Sequence, residues 1–271
     1  MSEPGEPHST ALERAFEALD AGEPEALAHE LASWPQLGVE DPLTFVFAVH
    51  VELLRGELKA ASERLELARS NVSPQEPELF AVAGELALST WQADQAIVEF
   101  RRALELEPRA DLQLRLALAF DLLDRSKEAE HCLELARELE PDQLAGVVHH
   151  SVDRFEVLVV EAAERLPEPF RAVLEVVAVV LDPVPRTELA SGREAETPPD
   201  LLGLFVGASA LERSIEGLPE SPAVIYLFQR NLERSCRDED ELAEQVAVTL
   251  YHELGHALGF DEDGVDRLGL A

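Results

Sequence analysis

Two histidines and a glutamate near the carboxyl end of the sequence have the types and the spacing that suit metal-assisted hydrolysis. They belong to the string HELGH at positions 252–256, which matches the H-E-x-x-H pattern. Residues four apart lie one turn apart on the same face of a helix, so His252 and His256 can turn their imidazoles toward a single ion. Glu253 then lies beside that ion, where a carboxylate can deprotonate a water molecule as a general base.

A catalytic zinc ion usually takes three protein ligands and leaves its fourth position to water, so the motif needs one further ligand. After His256 the sequence contains neither His nor Cys, and the nearby carboxylates remain: Asp261, Glu262, Asp263 and Asp266. Gly259 suits the C′ position at the end of a helix, where the residue has φ > 0. Such a turn would bring the acidic residues at 261–263 back toward the metal. Glu262 is our first choice, with Asp261 and Asp263 as alternates. We expect one Zn²⁺ per chain, although a site of N and O ligands also accepts Mn²⁺, Co²⁺ or Ni²⁺.

The motif is predicted to lie on a long helix from Asp238 to Phe260. Leu242, Val246 and Leu250 recur there at helical spacing. Upstream, β-branched runs and flanking prolines predict further elements in a fixed order. They are a helix at 153–166, a strand at 176–181, a proline-rich loop at 182–200, and strands at 201–206 and 223–228.

These segments read, in order, DRFEVLVVEAAERLP, EVVAVVLD, LLGLFVG, AVIYLFQ and HELGHALGFDED. As an ordered set they resemble the compact zincin-like metallopeptidase family of bacteria. The resemblance runs from about Val152 to the carboxyl terminus. It implies a small α+β domain with a short sheet packed on the motif helix, His252 and His256 as zinc ligands, Glu253 as the catalytic glutamate, and an acidic residue after Gly259 as the third ligand.

Two further polar residues are candidates for contacts with a substrate or a transition state. Arg213 follows the second predicted strand, where a guanidinium could bind a substrate carboxylate or stabilise an oxyanion; a surface ion pair is the alternative. Tyr226, in the third predicted strand, could donate a hydrogen bond; partly buried packing is the alternative.

The amino-terminal half repeats a pattern of small and large residues at helical spacing. With Pro108 as the closing proline of a unit of roughly 34 residues, the matching positions hold Phe80, Ala83, Gly84, Ala87, Ala96, Phe100 and Ala103. With Pro141 as the next closing proline, they hold Leu116, Ala117, Phe120, Ala129, Leu133 and Ala136. This part resembles a tetratricopeptide array. We therefore predict a helical repeat domain at 1–144 and the zincin-like domain at 145–271, which is an α+β fold overall.

Charge and composition exclude several classes of partner. The chain has 22 basic and 55 acidic residues, a net charge of −33, which repels nucleic acid and anionic membrane surfaces. The first residues lack the pattern of a secretory signal, and no run of about 18 apolar residues could cross a bilayer. Cys132 and Cys236 are far apart and lack C-x-x-C spacing. The sequence predicts a cytoplasmic protein that binds neither nucleic acid nor membrane.

The functional hypothesis is a zinc metallopeptidase that cleaves peptide bonds with an activated water and Glu253 as the general base. Its substrate would be a peptide or protein, and the repeats would bind that substrate or a protein partner. The alternative is a tetratricopeptide scaffold without catalytic activity, in which the zincin-like domain is structural or vestigial.

Overall fold

The computed structural model describes residues 6–37, 41–144, 149–190, 197–209, 223–261 and 264–265. By its internal contacts the chain divides into two compact units, Met1–Leu135 and Ala136–Ala271. The domain boundary predicted after residue 144 lies further along the chain and stays a prediction. No helix in the described ranges has the length and apolarity needed to span a membrane.

The first unit is built from consecutive helices joined by short turns. They are α1 (Glu6–Asp20), α2 (Pro24–Leu37), α3 (Leu43–Leu54), α4 (Leu58–Asn71), α5 (Pro77–Ser89), α6 (Ala93–Leu106), α7 (Ala110–Asp121) and α8 (Ser126–Leu139), the last of which crosses the boundary between the units. Helices α3 and α4 pack on each other, as do α5 and α6. Between α5 and α6 the Phe100 ring fills the space that a side chain at Gly84 would need. Such close approach is how small residues let neighbouring helices pack.

The second unit mixes helices and strands, so the α+β prediction is confirmed for the chain. Its elements are α9 (Pro141–Leu144), α10 (Val152–Glu164), α11 (Phe170–Val173), β1 (Ala178–Asp182), α12 (Thr187–Ala190), β2 (Gly203–Val206), β3 (Val224–Phe228), α13 (Gln229–Arg234) and α14 (Glu239–Leu258). The three predicted strands and the motif helix are present, each within two residues of its predicted limits at either end. The short helix α12 lies in the segment predicted as a loop.

The sheet has the strand order β1-β3-β2. Strand β1 pairs with β3 in parallel, and β2 pairs with β3 antiparallel, with Gly203 opposite Leu227 and Phe205 opposite Ile225. Strand β2 is therefore at one edge of the described sheet. Ile225 and Leu227 are fully buried in the cluster that also contains the apolar residues of α14, so the same face of β2 carries Gly203 and Phe205 toward that helix.

Helix α14 is the central element of the second unit. It contacts α10, α11, α13, β2 and β3. Its buried residues include the predicted Leu242, Val246 and Leu250, and they pack with Phe155 and Leu158 of α10. The apolar stripe that predicted this helix is thus the surface that packs it against the sheet and α10.

Candidate metal centre

The two ends of helix α14 are defined by local interactions. At the amino end, Asp238 accepts a hydrogen bond from the Glu241 amide at 2.9 Å through its side chain, and three acidic residues in the first turn complement the helix dipole. At the carboxyl end, Gly259 has φ 104° in the left-handed region, so the prediction of a C′ glycine is confirmed. The motif occupies the last two turns before this reversal of the chain.

The two motif histidines converge. Nε2 of His252 and Nε2 of His256 are 3.0 Å apart, and the ring centroids are 4.8 Å apart with 73° between the planes. Two ligands at 2.0–2.1 Å from a tetrahedral zinc ion would be about 3.3 Å apart. A shift of a few tenths of an ångström in the position of either Nε2 atom would give that separation, so the histidine pair fits a single ion.

The hydrogen bond made by the second ring nitrogen of His256 also suits a metal ligand. Its Nδ1 lies 3.1 Å from the carbonyl oxygen of Phe260, and a carbonyl only accepts, so Nδ1 must carry the proton. In the neutral ring the lone pair is then on Nε2, the atom that faces His252. A hydrogen bond from the outer nitrogen is the usual means by which proteins orient a metal-binding histidine. We conclude that these residues fit a zinc ion.

Glu253 lies beside strand β2, at the edge of the described sheet. Its side chain is buried, and Oε2 accepts a hydrogen bond of 2.6 Å from the Phe205 amide. Phe228 donates its amide to Leu202, so in the antiparallel register Leu202 points its polar groups toward β3 and Phe205 points them outward. The carboxylate of Glu253 is therefore placed beside the sheet edge, and Glu253 follows His252 directly along the helix.

The acidic residues proposed as the third ligand fall mostly outside the described structure. Glu262 and Asp263 lie outside the described residues. Asp261 is exposed and accepts the Gly264 amide at 2.9 Å through Oδ1. Within the described ranges no three His, Cys, Asp or Glu side chains form a group that could hold a metal, so the third ligand stays a prediction. The chain does turn back onto the helix, because Val265 is fully buried.

The two candidates for contact with a substrate both stay predictions. Arg213 lies outside the described residues. Tyr226 lies on the face of β3 opposite to Ile225 and Leu227, because side chains alternate along a strand, and it stacks on Phe228 with the ring centroids 6.3 Å apart. The Tyr226 side chain thus points away from the motif helix, and its contact with a substrate stays a prediction.

Sequence reasoning missed Asn231, which holds the strand that contacts Glu253. Asn231 is buried on α13, and its Nδ2 donates to the carbonyl oxygens of Pro199 at 2.9 Å and Leu201 at 2.8 Å. These bonds fix the segment that leads into β2. A single asparagine after a strand carries no sequence signal for this role, because both acceptors are backbone groups some 30 residues earlier in the chain.

A second missed residue is Glu233, whose side chain is almost completely buried. It accepts hydrogen bonds from His149 Nδ1 at 2.7 Å, from the His150 amide at 2.9 Å and from Gln229 at 2.8 Å. Burial raises the pKa of this carboxyl, but the hydrogen bonds from His149, Gln229 and His150 together outweigh burial and lower the pKa below its usual value. Glu233 thereby ties the chain before α10 to helix α13.

Comparison with protein families agrees with this geometry. Residues 174–270 match the zincin-like metallopeptidase family. The matched segment contains the sheet, α13 and α14, whereas α10 and the first unit lie outside it. A comparison with curated proteins finds no match. Similarity to this family supports a peptidase, and hence a hydrolase, in the second unit, and zinc is the metal that the family normally binds.

Proposed function

We propose that the protein is a zinc-dependent peptidase whose active centre is built on helix α14 and strand β2. The observation that carries this proposal is the convergence of His252 and His256, with their Nε2 atoms 3.0 Å apart, beside a glutamate at the sheet edge. The match of residues 174–270 to the zincin-like metallopeptidases supports the same activity. Glu262 is the proposed third ligand, with Asp261 and Asp263 as alternates, for one Zn²⁺ per chain.

The roles of the protein's own residues follow from their positions. His252 and His256 would hold the zinc ion through Nε2. Bound zinc would supply a Lewis acid that polarises a carbonyl and lowers the pKa of water. Glu253 would take a proton from the attacking water and deliver it to the leaving amine of the cleaved peptide bond. Arg213 stays a candidate for a contact with the substrate.

An extended peptide is the substrate that suits this centre. Strand β2 is an edge strand of the described sheet, and the polar backbone groups of Gly203 and Phe205 point outward from it. A peptide could pair with the outward backbone groups of Gly203 as an additional strand, which is a common mode of peptide recognition, whereas the Phe205 amide already donates to Glu253. The helices of the proposed repeat domain at 1–144 would bind a protein partner or part of the substrate, as tetratricopeptide arrays do.

The test compares purified chains for zinc content and for cleavage of a mixed peptide library. Wild type should bind close to one zinc ion and cleave peptides in a chelator-sensitive reaction. Glu253→Gln should keep zinc and lose at least about 100-fold in rate, because it cannot act as a base. His256→Ala should lose both. Glu244→Gln, at an exposed position on the same helix, is the matched control and should behave as wild type.

Two results would contradict the proposal. Cleavage by Glu253→Gln at the wild-type rate would exclude the glutamate as the base. Zinc bound by wild type without cleavage of any peptide would favour the alternative, a scaffold whose zincin-like domain serves for binding.

A further inference from the structure

The carboxylate of Glu253 is held by strand β2 and not only by its own helix. The Phe205 amide donates to Oε2 at 2.6 Å, a short distance typical of a charge-assisted hydrogen bond. This amide does not belong to the ladder between β2 and β3, since Phe205 lies at a position whose polar groups point away from β3. The Phe205 N–H therefore takes no part in the β2–β3 ladder and is directed at the glutamate.

Gly203 provides the room that this contact needs. A Cβ atom at Gly203 would lie 2.6 Å from Cγ2 of Thr249, 3.0 Å from Cγ of Glu253 and 3.1 Å from its Oε1. Distances of about 3.0 Å are shorter than ordinary van der Waals contact, so the side chain of Glu253 would have to move. Because Gly203 has no side chain, strand β2 passes close enough to helix α14 for the amide of Phe205, two residues later, to reach Oε2 of Glu253.

The strand itself is fixed at its start. Asn231 binds the carbonyl oxygens of Pro199 and Leu201, and the Phe228 amide donates to Leu202 at 2.9 Å. The buried asparagine and the ladder thus set where β2 lies before it reaches Gly203. A glutamate that binds a strand fixed in this way has one preferred side-chain position, which is what an efficient general base requires.

We infer that Gly203 and the Phe205 amide are positioning groups for the general base. Strand β2 holds the Glu253 carboxylate in its working orientation through the hydrogen bond from the Phe205 amide, and the lack of a side chain at Gly203 leaves room for that carboxylate. The inference rests on the proposed function for its catalytic meaning. The β2–Glu253 contact, defined as the Phe205 amide, Gly203 and Thr249 around the Glu253 side chain, is also a structural claim that can be measured without metal or substrate.

The structural claim is tested by NMR on metal-free protein labelled with 15N at phenylalanine. The Phe205 signal, assigned with Phe205→Leu, should move upfield in Glu253→Ala because the amide loses its carboxylate partner. It should also move in Gly203→Ala/Thr249→Ser, where the serine removes the closest clash and leaves only the crowding of Glu253. Thr249→Ser alone is the matched control and should leave the signal in place. A Phe205 signal unaffected by Glu253→Ala would overturn the inference.

The catalytic claim is tested by steady-state kinetics on the zinc-loaded chains. Gly203→Ala/Thr249→Ser should lose about 10- to 100-fold in kcat, the cost expected for a misplaced catalytic group, with KM and zinc content close to those of Thr249→Ser. Phe205→Pro removes the donor without removing a ladder bond and should show the same loss relative to Phe205→Ala, which keeps the amide. Equal kcat in each pair would overturn the inference.

The two tests separate this inference from the proposed function. If no chain cleaves peptides but the Phe205 signal moves as expected, the proposed function fails and the β2–Glu253 contact stands. If wild type cleaves peptides and the signal does not respond to Glu253→Ala, the proposed function stands and the positioning role fails.

Discussion

Val265 packs directly against Gly255, the fourth residue of the motif. A Cβ atom added at Gly255 would lie 3.0 Å from Cγ2 of Val265, and Val265 is fully buried. This contact, with the left-handed Gly259 between the two residues, brings the chain after the helix back onto the helix. Gly255 therefore has a structural role besides its place in the motif, since the absence of a side chain lets Val265 lie against this turn of the helix.

Gly255→Ala should weaken zinc binding although alanine favours a helix. The added methyl group would push Val265 and the turn before it away from His252 and His256. We expect a loss of about 10- to 100-fold in zinc affinity, similar to the removal of an outer-shell partner, measured by competition with a chromophoric chelator. Gly255→Ala/Val265→Ala removes the clash and should recover most of the affinity. Wild-type affinity in Gly255→Ala would mean that the returning segment does not support the site.

The third ligand should be identified by zinc content in three single alanine variants. Glu262→Ala should lose most of its zinc, because two histidines alone form a weak site. Asp261→Ala should retain it, since Oδ1 of Asp261 already accepts the Gly264 amide, and Asp263→Ala should also retain it. Elemental analysis of protein purified without a metal-affinity tag gives the answer. Zinc lost only from Asp263→Ala or Asp261→Ala would assign the ligand to that residue.

His50 should make the stability of the first unit depend on pH. Burial, and secondly the Arg109 guanidinium, lower the pKa of His50 from 6.5 to about 4. The unfolded chain therefore takes up a proton before the folded chain does, and stability should fall as the pH drops from about 6.5 to about 4. The expected loss is about 1–3 kcal/mol.

The measurement of this effect is urea unfolding followed by tryptophan fluorescence. Both tryptophans, Trp34 and Trp91, lie in the first unit, so the signal reports that unit. His50→Gln should remove most of the dependence on pH in this range. His29→Gln, at an exposed position on α2, should retain it. An unchanged pH profile in His50→Gln would show that other groups are responsible.

Glu233→Gln should destabilise the second unit at neutral pH. The lowered pKa means that the carboxylate stabilises the fold above about pH 4.5 and that this contribution is lost as the pH falls through the folded-state value. We expect a cost of about 1–3 kcal/mol at pH 7 and a smaller difference from wild type in acid. Hydrogen exchange of peptides from α10 and α13 measures it. Glu239→Gln, which removes the exposed partner of Arg154, should have a much smaller effect.

The parts of the site that follow from local periodicity were predictable from the sequence. Leu242, Val246 and Leu250 placed the motif on a helix, and the spacing of four residues placed His252 and His256 together. Both are properties of one helix, so no tertiary information was needed. Gly259 likewise indicated where the helix ends, because few residues other than glycine adopt a positive φ.

The parts that depend on contacts between distant segments were not predictable. The face on which Tyr226 lies could not be predicted, because alternation along a strand does not say which face meets the helix. The bond from Phe205 to Glu253 joins residues 48 positions apart, and the two bonds of Asn231 reach backbone carbonyls that have no sequence signature. The tetratricopeptide resemblance of the first unit stays a prediction, although consecutive helices occupy it.

The carboxylate at the edge of β2 also affects how the protein behaves toward other copies of itself. An uncovered edge strand is a template on which strands of neighbouring molecules can add and aggregate. Here the outward amide of Phe205 already donates to Glu253, so it cannot also donate to a strand of a neighbouring molecule. The residue proposed for catalysis therefore also occupies one of the backbone donors through which copies of the protein could associate at this edge.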